Sequence, residues 1–186
     1  MKNFQFVNPT RILFGKGEIK RLLREIPSGA KVLICYGGGS IKKTGLFDRI
    51  QEELKDFQTG EFGGIEPNPT YETLIKAVEH IRARGYDYLL AAGGGSVIDG
   101  VKFIAAAVPH TREDPWNLVT DNRAVKKALP FGVILTLPAS GSEMNGGAVI
   151  TRKATRTKLP FFGPALFPSF SILDPVYTYT LPEKQI

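Results

Sequence analysis

The chain has 186 residues, of which 42% are hydrophobic and 23% are charged, so it carries enough apolar material to fold as one large domain or a small pair. Its formal net charge of +6 favours an anionic partner, whether a nucleic acid, an acidic membrane or a phosphorylated small molecule. Cys35 is the only cysteine, and His80 and His110 are the only histidines, which excludes an internal disulfide and a zinc site with four His or Cys ligands.

The sequence shows no pattern of secretion or membrane insertion. No run reaches the roughly 18 to 20 apolar residues of a membrane helix, and residues 1–4 are not followed by the apolar stretch of about 7 to 15 residues found in signal peptides. Basic residues are spread from Arg11 to Lys158 without a known nucleic-acid module, although the charge alone leaves that role open. We expect a soluble cytoplasmic protein with neither a membrane nor a nucleic acid as partner.

A unit of strand, glycine turn and helix start occurs twice. Lys31–Tyr36 precedes the sequence GGGS at residues 37–40, and an apolar run at 88–92 precedes GGGS at residues 93–96. Short apolar runs bounded by glycine are typical of parallel strands that helices cover on both faces. The repeat therefore predicts two neighbouring strands of an α/β fold.

Two helices are predicted around the second unit. Thr70 can cap a helix over 70–84 that ends at Gly85, a residue typical of helix C-termini. Apolar residues at helical spacing predict a second helix over about 96–107. The β-α-β order places the strands in one parallel sheet, since such crossovers are right-handed. Residues 108–128 lack a clear period and are interpreted as a surface connection.

Further strands are predicted in the second half. Phe131–Leu137 is another buried strand, and 169–173 is the last. Between them, residues 146–151 and 158–162 predict a β-hairpin with a five-residue loop at 153–157.

The last residues carry a helix-start pattern. Pro182 stands at the first helical position with Glu183 behind it, and almost no helix follows.

The second glycine turn has the properties of an anion cradle. Gly93, Gly94, Gly95 and Ser96 expose successive N–H groups at the start of a helix, where phosphate binds well. The turn is not the Rossmann fingerprint, because Ile98 stands at the third glycine position. The alternative is a glycine turn needed only for chain geometry.

The first glycine turn bears on which dinucleotide is preferred. An adenosine ribose is read by a carboxylate in NAD enzymes, whereas a 2′-phosphate requires donors or positive charge. Residues 31–44 contain no Asp or Glu, and Ser40, Lys42 and Lys43 are available, which favours NADP. Alternatively, the two lysines belong to a solvated surface.

The polar loop at 136–143 follows a buried strand and is expected to line a cleft, although helix capping fits the same residues. Asp99 is expected in the first turn of its helix, where capping or ribose binding is favoured over acid–base catalysis with Glu143.

The two histidines and the cysteine are not expected to take part in chemistry. His80 and His110 are interpreted as surface histidines, and Cys35 as a buried thiol.

These motifs together resemble the iron-containing alcohol dehydrogenases. The resemblance covers essentially the whole chain and is strongest to the branch of NADPH-dependent aldehyde reductases and butanol dehydrogenases, whose first strand ends in GGGS where NAD-preferring relatives carry an aspartate. The segments that carry it are residues 9–17, 37–40, 63–69, 93–99, 137–143 and 173–175.

The resemblance implies a two-domain subunit that catalyses reversible hydride transfer between NADPH and the aldehyde of a primary alcohol. Residues 1–180 would form the Rossmann-like dinucleotide-binding domain, and 181–186 would begin a C-terminal helical domain that is absent here and holds the Fe or Zn. No metal ligand and no catalytic residue can be carried over. The family also implies a homodimer formed through the strand near Thr10 to Phe14. The rival reading is a stand-alone nucleotide-binding or interaction module without enzyme activity.

The matched motifs also imply roles for individual residues in binding the cofactor. Ser140 replaces the threonine more usual in the family and keeps a hydroxyl. The implied contacts are Gly37, Gly38 and Ser40 with the 2′-phosphate; Gly94, Gly95, Ser96 and Asp99 with the pyrophosphate and nearby ribose; Thr136, Ser140 and Asn145 with the nicotinamide side; and Lys158 with the cofactor ribose.

Overall fold

The computed structural model describes residues 3–5, 7–121 and 123–179, and its centre is a six-stranded sheet in which every strand pair is parallel. An antiparallel hairpin forms a second, separate sheet. The strands are β1 (Arg11–Phe14), β2 (Lys31–Tyr36), β3 (Gln58–Phe62), β4 (Tyr88–Gly94), β5 (Phe131–Leu137), β6 (Gly147–Arg152), β7 (Thr157–Phe162) and β8 (Phe170–Leu173). The sheet order is β1-β8-β5-β4-β2-β3, and β6 and β7 form the hairpin. The predicted parallel α/β fold with a β-hairpin is confirmed.

Helices cover both faces of the sheet. The α-helices are α1 (Leu22–Glu25), α2 (Ser40–Lys43), α3 (Leu46–Glu53), α4 (Tyr71–Arg84), α5 (Gly95–Ala107) and α6 (Asn117–Thr120). Short 3-10 helices lie at Glu18–Arg21, Ser142–Met144, Pro164–Leu166 and Pro175–Thr178. Within the described ranges, no helix combines the length and apolar character needed to cross a membrane.

The apolar strands of the sheet contribute side chains to two core layers, one on each face of the sheet. Along β2, Leu33 and Cys35 face the layer built by α4 and α5, whereas Val32 and Ile34 face the layer built by α1 and α3. Alternate side chains of a strand point to opposite faces, so a strand covered on both sides must be apolar throughout. Burial raises the pKa of the Cys35 thiol to about 12, which agrees with its predicted role as a small buried side chain.

The two predicted helices are present, with one difference in how α4 begins. Gly85 ends α4 in the left-handed region at φ 71°, as expected of a C-terminal glycine. Thr70 holds the N-cap position, but no side-chain hydrogen bond caps the helix. The Thr70 hydroxyl instead donates to Glu66 at 2.7 Å, so the prediction that Thr70 caps α4 is wrong for its side chain.

Two features of the second half differ from prediction. Strands β6 and β7 each continue one residue further towards the turn than predicted, because Arg152 pairs with Thr157. The hairpin loop therefore has four residues, 153–156. The segment 108–128 is only partly a surface connection, because it contains α6 and buries Trp116, Val119 and Val125 in the core. The predicted helix start at 181–182 lies outside the described residues.

Strand order creates a switch point at the carboxyl edge of the sheet. From β2 the chain moves outward to β3, whereas from β4 it moves the opposite way to β5. The connections that leave β2 and β4 therefore diverge and open a crevice between the two strands. In open α/β sheets, ligands bind at this position.

Candidate functional site

The three polar turns singled out in the sequence meet at this switch point. They follow β2, β4 and β5, which are neighbours in the sheet. Tyr36 pairs with Ala92, and Gly94 pairs with Leu137, so the three strands end at nearly the same level. Residues that are about 100 positions apart in sequence are thereby brought to one edge.

Helix α5 begins at this edge with free backbone donors. Its N-cap residue, Gly94, provides no side-chain cap, and the first N–H groups of any helix lack intrahelical acceptors. The helix dipole adds partial positive charge at the same end. A Cβ on Gly95 would overlap Ser140 Oγ, so glycine is required for the close approach of the two turns. Gly94, Gly95 and Ser96 therefore form a suitable cradle for a phosphate group.

A chain of hydrogen bonds connects the hairpin to this cradle. The Asn68 N–H donates to Ser96 Oγ at 3.3 Å, and Lys158 Nζ donates to Asn68 Oδ1 at 2.7 Å. Asn68 is a non-glycine residue in the left-handed region, with φ 56°. The role of Asn68 was missed from the sequence, although it lies in the motif at 63–69 that the resemblance singled out. The contacts place Lys158 beside the start of α5.

Asp99 is not in the first turn of α5, so the capping prediction for this residue is wrong. The helix begins at Gly95, which makes Asp99 its fifth residue. Its two carboxylate oxygens accept from Ser142 Oγ at 2.8 Å and from the Val149 N–H at 3.0 Å. Burial raises the pKa of Asp99, and these two hydrogen bonds oppose that effect. Asp99 therefore ties the loop after β5 to α5.

Lys102 is a site residue that the sequence analysis missed. It lies one turn beyond Asp99 on α5 and is fully buried. Its Nζ donates to the Asn145 carbonyl at 2.8 Å, to Asn145 Oδ1 at 2.9 Å and to the Gly147 carbonyl at 2.7 Å. Burial lowers the pKa of Lys102 to about 8, against the attraction of the Asp99 and Glu143 carboxylates. Nothing in the sequence pattern distinguishes this lysine from a surface charge.

A cleft of about 620 Å³ lies between the loop after β5 and the hairpin. Of the residues expected on the nicotinamide side, Ser140 and Asn145 line this cleft, together with Asp99. Thr136 does not line the cleft; it lies within β5, between the partners of Gly93 and Gly94. The other lining residues are Ser142, Gly146, Gly147, Ala148, Val149, Phe162, Gly163 and Phe167.

A larger cleft of about 820 Å³ lies at the opposite end of α5. It is bordered by Ala106 and by residues within 109–121 and 123–127, among them His110. None of the residues expected to bind a cofactor lines it. We therefore assign the candidate site to the smaller cleft and the adjoining glycine turns.

The first glycine turn presents Gly38 and Ser40 to solvent at the end of β2. Gly37 is half-buried, and its carbonyl accepts from the Gly64 N–H at 2.9 Å. These backbone groups and the Ser40 hydroxyl are therefore accessible to a ligand at the switch point.

A carboxylate missed from the sequence lies close to this turn. Glu61, on the neighbouring strand β3, forms an ion pair with Lys42 Nζ at 2.7 Å and accepts from the Tyr36 hydroxyl at 3.0 Å. The hydrogen bond with Glu61 raises the pKa of Lys42, and the hydrogen bond from Lys42 lowers the pKa of Glu61. Lys42 is therefore neither a free positive charge nor an isolated solvated lysine.

The described residues do not form a metal centre. Within the ranges that the structure describes, no group of three or more His, Cys, Asp or Glu side chains is arranged to hold a metal ion. His80 is half-buried and stacks on Tyr86 with ring centroids 5.5 Å apart. His110 lies at the larger cleft, far from the glycine turns.

Comparisons with known proteins agree with this description. The family model for iron-containing alcohol dehydrogenases matches residues 9–175. The NADPH-dependent aldehyde reductase YqhD of Escherichia coli is 55% identical over 100% of this chain and 49% of its own length. NADH-dependent butanol dehydrogenase B of Clostridium acetobutylicum is 46% identical over 100% of this chain and 48% of its own.

Solved structures show the same fold. The crystal structure of NADH-dependent butanol dehydrogenase A from Thermotoga maritima superposes with a TM-score of 0.94 at 41% identity, over 100% of this chain and 47% of that one. The fold and the edge where the turns meet thus define a Rossmann-like α/β protein. The chain belongs to the iron-containing alcohol dehydrogenase family. It spans about half the length of the curated relatives it matches.

Proposed function

We propose that this chain is the NADP(H)-binding part of a metal-dependent alcohol dehydrogenase or aldehyde reductase. The reaction is reversible hydride transfer between NADPH and an aldehyde, with a butanol-type primary alcohol as the reduced substrate. The observation that carries the proposal is the uncapped N-terminus of α5, built from Gly94 and Gly95 at the switch point of the sheet. Residues 1–180 are proposed as the dinucleotide-binding domain of a cytoplasmic enzyme that binds neither nucleic acids nor membranes.

Each part of NADP can be assigned to a group of residues at this edge of the sheet. We assign the pyrophosphate to the N–H groups at the start of α5, and the nicotinamide side to the cleft lined by Ser140 and Asn145. Lys158, held by Asn68 beside the same helix start, is assigned to the ribose. Gly37, Gly38 and Ser40 are assigned to the 2′-phosphate, because they expose backbone and hydroxyl donors at the end of β2.

The metal is proposed to lie outside the described residues. A bound Fe or Zn polarises a substrate oxygen as a Lewis acid. No described cluster of side chains fits such an ion, so no metal ligand and no catalytic residue are assigned in this chain. Residues 181–186 are proposed to begin the helical domain that supplies the ligands. This chain alone is accordingly proposed to bind cofactor without catalysing the reaction.

The chain is expected to bind NADPH more tightly than NADH. A phosphate held by Ser40 and neighbouring N–H groups forms charge-assisted hydrogen bonds worth roughly 1.5 to 3 kcal/mol, or about a ten- to hundredfold preference. Calorimetric titration with the two reduced cofactors measures this ratio. Equal affinities, or tighter NADH binding, would contradict the assignment of NADP, which matters because relatives named for either cofactor are 45% or more identical to this chain.

A homodimer formed through β1 is also proposed. Strand β1 is at the edge of the sheet, and among the described strands it pairs with β8 alone. Ile12 and Phe14 on β1 are 40% and 71% exposed. An exposed apolar edge strand readily pairs with a second copy. Light scattering is expected to give the mass of a dimer, and Phe14→Lys is expected to shift the equilibrium towards monomer. A monomer at all concentrations of the unmodified chain would refute the proposal.

A second candidate is a nucleotide-binding or interaction module without enzyme activity. Its basis is the same phosphate cradle at the start of α5, which suits a nucleotide whether or not a reaction follows. The reading frame after residue 186 distinguishes the two candidates. A frame that continues into a helix with an Asp and a His four residues apart supports the enzyme, whereas a stop codon supports the module.

A further inference from the structure

Helix α5 holds one wall of the 620 Å³ cleft through two of its side chains. Asp99 and Lys102 are three positions apart and therefore lie on the same face of the helix. Asp99 accepts from Ser142 and Val149, at the two ends of the segment 142–149. Lys102 donates to Asn145 and Gly147 in the middle of that segment.

All three hydrogen-bond donors of the Lys102 ammonium have acceptors within the protein. It has three N–H donors, and the three oxygens that surround it accept one each at 2.7 to 2.9 Å. Burying a charge is costly unless its hydrogen bonds are complete. An apolar side chain of similar length would fill the same space without this cost. The ammonium is thus matched to the oxygens of the loop, and its effect is to hold them in place.

The orientation of Asn145 follows from these contacts. Its Oδ1 accepts from Lys102 Nζ at 2.9 Å and from the Gly147 N–H at 3.0 Å. The amide oxygen is thereby occupied, which leaves the amide NH2 as the group that Asn145 can offer to a ligand in the cleft. An NH2 donor is the complement of a carbonyl oxygen, and the carboxamide of a nicotinamide ring provides such an oxygen.

We propose that Lys102 is a positioning residue that fixes Asn145 from behind the cleft wall and thereby sets the affinity for the nicotinamide half of the dinucleotide. Lys102 does not line the cleft and is not proposed to touch the cofactor. The inference rests on the proposed function, since it needs a nicotinamide dinucleotide at this edge. It predicts that the two halves of NADPH depend differently on Lys102.

The experiment compares two ligands by calorimetry. NADPH occupies both halves of the site, whereas adenosine 2′,5′-bisphosphate occupies only the half near Ser40. In Lys102→Met the affinity for NADPH should fall about tenfold or more, while the affinity for the bisphosphate should change less than about twofold. Lys76→Met, which removes an exposed lysine from α4, is the matched control and should change neither affinity.

A second variant keeps the test decisive if Lys102→Met does not fold. Lys102→Gln keeps a hydrogen-bond donor, now an amide NH2 in place of the ammonium, so its NADPH affinity should fall less than that of Lys102→Met, again without an effect on the bisphosphate. Equal weakening of both ligands in either folded variant would show a merely structural role and overturn the inference. So would unchanged NADPH binding. If the unmodified chain bound neither ligand, the proposed function would fail and this inference with it.

Discussion

Replacing Ser40 by aspartate is expected to turn a preference for NADPH into a preference for NADH. Ser40 begins α2 and is exposed at the end of β2, beside Gly38. A carboxylate at this position repels the 2′-phosphate and accepts from the 2′-hydroxyl of NADH. The NADPH affinity should fall about ten- to hundredfold through the lost charge-assisted hydrogen bonds, and repulsion adds to that loss. Calorimetric titration of the variant with both cofactors measures the change.

Glu61→Gln is the comparison variant, because it is expected to strengthen the preference for NADPH that Ser40→Asp removes. It removes the carboxylate that holds Lys42 at 2.7 Å and leaves the Lys42 charge available to a phosphate. Both partners are about half exposed, so the NADPH preference should rise only a few-fold. If Ser40→Asp left the preference unchanged while Glu61→Gln altered it strongly, the 2′-phosphate would have to be reassigned to the end of β3.

The parts of the fold that the sequence predicts well are those where one local rule decides the structure. The strands β2, β4 and β5 are buried on both faces, so in the sequence each of them is a short apolar run, and glycine follows or lies within it. Helices α4 and α5 follow from apolar spacing and, for α4, from Gly85. Strand β3 was not predicted, because it is an exposed edge strand whose residues are mostly polar. Its existence depends on pairing with β2, which no local pattern encodes.

The same limit applies to the candidate site. The glycine turns could be recognised because a backbone cradle has a sequence signature, and the resemblance supplied roles for Ser140, Asn145 and Lys158. The residues that were missed act through contacts with distant segments. Glu61 reaches Lys42 across a strand pair, and Lys102 reaches Asn145 across 43 positions. Charged side chains at such positions look like surface charges until the sheet order is known.

The 186-residue chain is expected to bind NADPH yet to show no reduction of butanal, with or without added Fe²⁺ or Zn²⁺. When hydride reaches a carbonyl carbon, negative charge develops on the oxygen and must be stabilised. Neither lysine of the candidate site is assigned to the substrate oxygen, since Lys102 donates to three loop oxygens, whereas Lys158 is held by Asn68 and is assigned to the cofactor ribose. Among the described residues, no side-chain cluster is arranged to bind an added metal ion.

The size of the expected loss follows from the barrier. A metal-bound substrate oxygen is worth several kcal/mol of transition-state stabilisation, and each 1.36 kcal/mol changes the rate about tenfold. The activity should therefore be several orders of magnitude below that of a complete enzyme. The assay follows the absorbance of NADPH with butanal present, on a sample whose cofactor binding has been established by calorimetry. Metal-dependent turnover by this chain would place the active site among its own residues and refute the assignment of the metal to a further domain.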